Sequence, residues 1–390
     1  GTWVANRARK FAEVWCCGRN DHGQCGTGSM DDKVRDLPIT PGVEQNPLVN
    51  AEERKVLEWC AFSELLSPIQ GASSGSMHTV ILGQDTVPSH SLEKGARNVP
   101  KIGTLYSTGS NNTGQLGLNN KYDQTTPVRV DTLFHYEREV LDITCGPKHN
   151  AAIVRPYNTN LTEIWTWGQG WFGRLGHGSE RFQLKPKLIL SIRSLSISQV
   201  ACGGNSTAAL TSDGKLYTWG YNKYGQCGQG KSAAHDSSNT CTDGITRPLP
   251  AKIPSASPVI SVRMGHEHTL VLTSSYQLFA AGSNEFGQLG TGGKMGSEKC
   301  METEFTPVDI PSSAQITQIS CGGQHSLALS ALGQVYSWGR IEKGRSGQGK
   351  IKDNISVPRA IPTLQDVQVQ KIFAADAHNF VVTKDRRVYS

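Results

Sequence analysis

The chain has 390 residues, a mildly basic balance of 39 Lys and Arg against 33 Asp and Glu, and a hydrophobic content of 37%. Its net charge of +6 is too small to mark a nucleic-acid binder without a clustered patch, and the clusters, Arg7, Arg9, Lys10 and Lys384, Arg386, Arg387, sit near the termini. No apolar stretch approaches the ~20 residues that span a bilayer, and no secretory signal is visible. The first residue is Gly1, which leaves open a removed targeting segment.

In chain order, the first predicted element is a strand that ends in a glycine and runs into a second, glycine-rich turn, VWCCGRNDHGQCGTG at 14–28. The same pattern returns at 105–119 (LYSTGSNNTGQLGLN), 164–178 (IWTWGQGWFGRLGHG), 216–230 (LYTWGYNKYGQCGQG), 278–292 (LFAAGSNEFGQLGTG) and 335–349 (VYSWGRIEKGRSGQG). The first motif glycines, Gly18, Gly109, Gly168, Gly220, Gly282 and Gly339, are 91 residues apart at the first interval and 52 to 62 thereafter. The long interval implies an insertion of roughly thirty residues, and the repeat itself says that one supersecondary unit is used many times.

That insertion, about 40–66, contains NAEERKVLEWCAFSELL. Asn50 with Glu53 resembles a capping box, and Val56, Leu57, Cys60, Ala61 and Leu65 form one face of a short expected helix, packed on its own domain or docked to a partner. Further insertions are expected at about 231–246 and 293–305.

A second landmark follows each motif: a small residue and a glycine or alanine before an apolar run, as in SSGSMHTVIL (73–82), TCGPKHNAAIV (144–154), ACGGNSTAAL (201–210), RMGHEHTLVL (263–272), SCGGQHSLAL (320–329) and AADAHNFVV (374–382). Such runs, bounded by Gly, Asn and Ser, predict short strands. Between the landmarks stand proline-led segments with Pro127, Pro186, Pro248, Pro307 and Pro358, which suit an edge strand, where no ladder hydrogen bond is lost. Three or four short strands per unit with no helical period point to an all-β propeller, one domain over residues 1–390.

GSNNTGQLG (109–117) and GSNEFGQLG (282–290), with CGGQHS (321–326) and GSMHT (75–79), closely resemble the repeat of the regulator of chromosome condensation family. The resemblance covers nearly the whole chain and implies a seven-bladed β-propeller of four-stranded antiparallel blades. Six full motifs are present and a seventh begins at Val388, Tyr389 and Ser390. One blade is therefore expected to be incomplete or closed by both termini, with residues 1–13 supplying a strand; six blades is the alternative.

Subtracting the repeat disposes of several tempting motifs. GQCGQGKS (225–232) satisfies the P-loop spacing with Lys231, but the repeat supplies GxxxxG at the same place elsewhere and a polar loop, not a helix, follows. GQGWFG (168–173) matches a dinucleotide fingerprint without its βαβ unit. His78, His149, His268, His325 and His378 recur at one position, with Ser206 in the third unit, so hydrogen bonding between blades or to a turn is the reading rather than catalysis or metal binding. Of the ten cysteines, Cys145, Cys202 and Cys321 share one slot, and Cys25 and Cys227 replace the leucine of GQLG. They read as small buried hydrophobes, reduced, in an intracellular compartment, whether nucleus, cytoplasm or mitochondrion. No cofactor or metal site is expected.

Function is expected in what varies. The two residues before the GQLG glycine differ in every unit, and the expected partner-binding set is Asp21, His22, Trp171, Phe172, Lys223, Tyr224, Glu285 and Phe286, with aromatics in three consecutive units. The family's best-known activity is nucleotide exchange on a Ras-like GTPase together with chromatin docking. The acidic residue that exchange factors place after the CG glycine is Pro147 in the second unit and Asn205 in the third; Asp21 alone sits as required, and Asp376 has no clear counterpart. The ultraviolet-receptor branch uses tryptophans in GWRHT segments, which none of the six copies has. The primary expectation is a non-enzymatic platform that binds partner proteins within a larger assembly, without membrane contact. The alternative is a guanine-nucleotide exchange factor for a small GTPase, with chromatin contact.

Overall fold

The computed structural model describes residues 2–6, 13–17, 58–59, 66–85, 103–133, 138–156, 159–230, 244–297, 299–311 and 313–390. Each apolar run becomes a short strand, and successive strands pair antiparallel with their neighbours in sequence. Blade I comprises β4 (Leu66–Ser74), β5 (His78–Asp85), β6 (Gly103–Gly109) and β7 (Gln124–Arg129). Blade II comprises β8 (Arg138–Cys145), β9 (His149–Pro156), β10 (Glu163–Gly168) and β11 (Gln183–Leu188). Blade III comprises β12 (Ile197–Cys202), β13 (Ser206–Thr211), β14 (Leu216–Tyr221) and β15 (Gly244–Pro250). Blade IV comprises β16 (Val259–Met264), β17 (His268–Thr273), β18 (Leu278–Ser283) and β19 (Met301–Pro307). Blade V comprises β20 (Ile316–Cys321), β21 (His325–Ser330), β22 (Val335–Gly339) and β23 (Ile355–Ala360). Blade VI has three strands, β24 (Val369–Ala374), β25 (Asn379–Thr383) and β26 (Val388–Tyr389).

The expectation of seven four-stranded blades is corrected to six. Five blades have four strands, the last has three, and all six send the end of an inner strand to one axial cavity. The blade count follows the inner-turn landmark, which occurs six times, rather than the glycine motif, whose first copy falls on another sheet. That sheet is small and three-stranded, made by β1 (Thr2–Asn6), β2 (Glu13–Cys17) and β3 (Glu58–Trp59). Among the described residues β1 pairs with β2 and not with β24–β26, so the expected closure of one blade by both termini is not seen. Glu58–Trp59, within the helix expected across 50–66, is strand, and the rest of that segment up to residue 65 lies outside the described residues.

Position in the blade explains composition. The second strand lies mid-sheet with a neighbouring blade on each face, so β13, β17 and β21 are buried at all six positions and carry a small or apolar middle between polar ends. The proline strands β7, β11, β15, β19 and β23 lie on the outer edge of their sheets, as their chemistry predicts.

Blades are joined by a repeated polar latch. The backbone carbonyl at the Gln of GQLG accepts hydrogen bonds from the following blade. Gln115 O receives Asn150 Nδ2 at 2.7 Å and Trp167 Nε1 at 3.1 Å. Arg174 O receives Thr207 Oγ1 at 2.8 Å and Trp219 Nε1 at 2.9 Å. Gln288 O receives Ser326 Oγ at 2.9 Å and Trp338 Nε1 at 2.9 Å. The repeated histidine completes the arrangement: His78 reaches Asn150 at 2.6 Å, His149 reaches Thr207 at 3.1 Å, His268 reaches Ser326 at 2.9 Å and His325 reaches Asn379 at 2.7 Å. Since the hydroxyls of Thr207 and Ser326 already donate to the carbonyl, His149 and His268 donate from Nε2. The expected hydrogen bond between blades is thus what these histidines make.

Two glycines show how tight the latch is. A Cβ on Gly146 would come within 2.3 Å of the His149 ring, and one on Gly176, at φ +76°, within 2.9 Å of the Trp219 indole nitrogen. Two junctions depart from this pattern: between blades V and VI Arg345 O receives Asn379 Nδ2 without a tryptophan, and between blades III and IV the histidine is missing as well. Ser206 replaces the histidine and Ala281 the tryptophan, leaving Thr269 Oγ1 on Gln226 O at 2.6 Å as the one latch donor to that carbonyl. Ser206 Oγ and Gln226 Nε2 are buried there without partners. Phe305, from the outer strand of blade IV, fills the tryptophan's volume over Gly228.

Two outcomes are expected. Ser206→His supplies the missing donor opposite Thr269 and raises the thermal midpoint by about 1–3 °C, whereas His268→Ala lowers it, as follows from a net ~1 kcal/mol per hydrogen bond. Differential scanning fluorimetry reads both, and a midpoint lowered by Ser206→His would contradict the latch. Burial also lowers His78 and His325 to about 4 and His268 to about 3, and holds His149 well below the ordinary value. The unfolded chain, with ordinary histidines near 6.5, then binds protons first, so this stability is complete above pH 6.5 and falls as the pH drops towards about 4. A midpoint unchanged between pH 7 and about 4.5 would contradict that assignment.

Candidate functional site

The motif loops and inner turns open on the same face, because the motif glycine pairs with the first residue of the second strand. Gly168 stands opposite His149, Gly220 opposite Ser206 and Gly339 opposite His325. Within a motif, Asn and Gln side chains fix the loop. Asn111 Oδ1 accepts the Leu116 N–H at 2.9 Å, and Gln288 Oε1 accepts the Phe286 N–H at 2.9 Å. Leu116, Leu175, Cys227 and Leu289 plug the interior with no exposure. The motif residues are thus consumed by the ring.

Where Arg replaces the Gln, the loop changes shape. Arg174 Nε donates to Trp171 O at 3.0 Å and Arg345 Nε to Glu342 O at 2.9 Å. In both loops the residue before the glycine is left-handed, Phe172 at φ 58° and Lys343 at φ 59°. For a bulky aromatic this is a costly conformation, held because Phe172 packs on Tyr221 at 4.6 Å and lies 5.8 Å from the Arg174 guanidinium. Its neighbour Trp171 is 53% exposed and meets Phe182 at 5.6 Å in a T-shaped contact. Tyr221 continues to Tyr224 at 6.1 Å, and Lys223 Nζ lies 5.4 Å from the Tyr224 ring.

Four of the expected partner-binding residues, Trp171, Phe172, Lys223 and Tyr224, therefore flank one arc over blades II and III. Phe286 is engaged separately, 4.7 Å from the Arg340 guanidinium, and Glu285 is half-buried beside it. Asp21 and His22 lie outside the described residues. Phe182 and Tyr221 are additional members of the arc. Phe182 stands in the loop before the proline strand and Tyr221 at the end of β14, both outside the two variable positions that precede GQLG.

At the axis, the inner turns line a cavity of about 420 Å³. The slot after the inner glycine holds Ser76, Pro147, Gly204, His266, Gly323 and Asp376, all on the cavity wall. By register Gly204, not Asn205, matches Pro147, because Ser206 aligns with His149. His266 of blade IV reaches across Gly323 to Asp376 of blade VI, Nε2 to Oδ1 3.3 Å, so Asp376 has a defined place on this face. Cys145, Cys202 and Cys321 also line the cavity as free thiols. Burial pushes Cys145 and Cys321 up to about 12 and raises Cys202. Among the described residues no three His, Cys, Asp or Glu side chains converge to hold a metal, and no helix is long and apolar enough to cross a membrane. Residues 225–230 of the P-loop-like stretch form glycine turns at φ 82°, 63° and 73°, while Lys231 and Ser232 lie outside the described residues.

Residues 13–390 match the family model described as RCC1-like domain. The chain is 30% identical to the human E3 ubiquitin-protein ligase HERC2 over 289 residues, 74% of this chain and 6% of that protein. It is 28% identical to the ultraviolet-B receptor UVR8 of Arabidopsis thaliana over 371 residues, 89% of this chain and 77% of the receptor. The crystal structure of human WBSCR16 superposes with a TM-score of 0.69 at 20% identity, covering 97% of this chain and 82% of that one, a likeness of fold.

The raised thiols carry a direct expectation. Despite partial exposure, Cys145, Cys202 and Cys321 react with iodoacetamide at pH 7.5 at least ~10-fold more slowly than in the urea-unfolded chain, since the thiolate is the nucleophile. Site-resolved mass spectrometry measures this, and equal rates would contradict the assigned environment.

Proposed function

The chain belongs to the RCC1-like propeller family, and from that premise we propose that it is a non-enzymatic platform that binds partner proteins through the motif face. The observation that supports this most is the arc over blades II and III. It exposes Trp171 and leaves Lys223 at the surface, and the ring latch uses neither side chain. Exposed aromatics beside cations on a rigid frame are the usual composition of binding hot spots. The chain spans 6% of HERC2's length, so that protein's ligase activity lies with a much larger whole, and a propeller serving as one part of an assembly is the corresponding role here. Free thiols, Cys227 buried and Cys145, Cys202, Cys300 and Cys321 half-buried, fit an intracellular, reducing compartment. The GWRHT tryptophan slot is filled by Ser76, Pro147, Gly204, His266, Gly323 and Asp376, which argues against light sensing.

A second reading, nucleotide exchange on a Ras-like GTPase, is favoured by one observation: the His266–Asp376 pair at the axial mouth, an acid and a histidine on the face such a factor uses. A nucleotide-release assay separates the two. Acceleration of release from a candidate GTPase, abolished by Asp376→Ala or Asp21→Ala, establishes the exchange reading and overturns the platform.

For the platform, the proteins recovered from native cells with the wild-type chain are compared with those recovered by a Trp171→Ala, Tyr224→Ala double variant. The variant is expected to lose at least one stoichiometric partner while its melting midpoint stays within about 3 °C, as surface changes do. An unchanged set of partners would sink the proposal.

A further inference from the structure

Resting on the platform reading, the charge and ring geometry of the arc define the chemistry of what docks there. Arg181 and Lys223 are exposed along it, Lys121 joins it from the blade I loop through Phe182, and none of the three makes an ion pair among the described residues. Of the acids nearby, Asp123 is exposed and accepts the Asn111 N–H at 2.7 Å, Glu180 is half-buried beside Arg174, and Glu302 and Glu304 lie on the strand packed against the Lys223 loop. On blade V, by contrast, Arg340 is paired with Glu342. Three exposed cations without an ion pair among the described residues thus stand beside two exposed anchors, Trp171 and the 75% exposed Tyr122.

A polyanion could be nucleic acid or protein, and the rings decide between them. Single-stranded nucleic acid needs open aromatic faces on which bases stack. Here Lys121 Nζ sits 5.9 Å from the Phe182 ring centre, Trp171 meets the same ring in a T-shape, Phe172 is tilted against Tyr221, and Lys223 covers Tyr224. The rings of Phe172, Phe182, Tyr221 and Tyr224 engage one another and the cations, which leaves Trp171 and Tyr122 as two anchors on separate loops rather than a run of open faces for successive bases. We propose that the arc formed by Lys121, Tyr122, Trp171, Arg181, Lys223 and Tyr224 binds an acidic protein segment that carries an apolar or aromatic anchor. The anchor packs beside Trp171, and the carboxylates meet the three cations at the rim.

The test is fluorescence anisotropy on the full chain with three probes: a labelled peptide of alternating Glu, Asp and Phe, its Gln and Asn counterpart, and single-stranded poly(U). The acidic peptide is expected to bind at least ~10-fold more tightly than either comparison and to weaken with salt. The double charge reversal Lys121→Glu, Lys223→Glu costs it at least ~10-fold. Poly(U) binding as tightly, equal binding of the neutral peptide, or indifference to charge reversal would each overturn the proposal. The outcomes are separable from those of the platform reading. If Trp171→Ala, Tyr224→Ala releases the cellular partner while the charge reversal does not, the acidic chemistry falls and the platform stands.

Discussion

One backbone carbonyl per motif loop holds each blade to the next. In blades I, II and IV the carbonyl of Gln115, Arg174 or Gln288 takes two donors from the following blade, one from its second strand and one from its third. A buried carbonyl left unpaired costs about 1–3 kcal/mol, so the loop must present it at the right place. That requirement explains why the Asn and Gln side chains are spent on the loop's own backbone and why a Leu or Cys plugs it. It also explains why glycine stands where the next blade's indole, or the imidazole of its own turn, approaches.

The same constraint separates structure from function. A residue that serves the carbonyl cannot vary freely, whereas the side chains of the two residues before the loop's second glycine give that carbonyl no hydrogen bond. Arg174 shows the two levels meeting: it keeps the carbonyl in place for Thr207 and Trp219, yet its guanidinium caps Trp171 O and the loop holds Phe172 left-handed. The resulting turn places Trp171 against Phe182 and Phe172 against Tyr221. Partner chemistry is therefore written in side chains that the ring positions but does not need.

Much of this was legible in the sequence. The strands, the edge position of Pro127, Pro186, Pro248, Pro307 and Pro358, the interblade use of the repeated histidine and the burial of Cys227 follow from period and composition. The blade number was not, because the glycine motif and the inner turn, read as one unit, fall on different sheets: Gly109 ends β6 in blade I, while Cys145 ends β8 in blade II. The axial pair His266 and Asp376 was equally hidden. Its members are 110 positions apart and meet only because two blades flank Gly323. Phe182 escaped because the loop before the outer strand carries no repeat signal. Within the helix expected at 50–66, Glu58–Trp59 is strand, where pairing with β2 overrides local propensity.

The carbonyl latch is tested most directly by a double-mutant cycle on the two donors to Arg174 O, Thr207→Val and Trp219→Phe, measured as denaturation midpoints. Either change alone leaves the carbonyl one partner, and both together orphan it, so the pair is expected to cost about 1 kcal/mol or more beyond the sum of the singles. The distant pair Trp219→Phe and Trp338→Phe should add. Simple additivity for Thr207 and Trp219 would contradict the account.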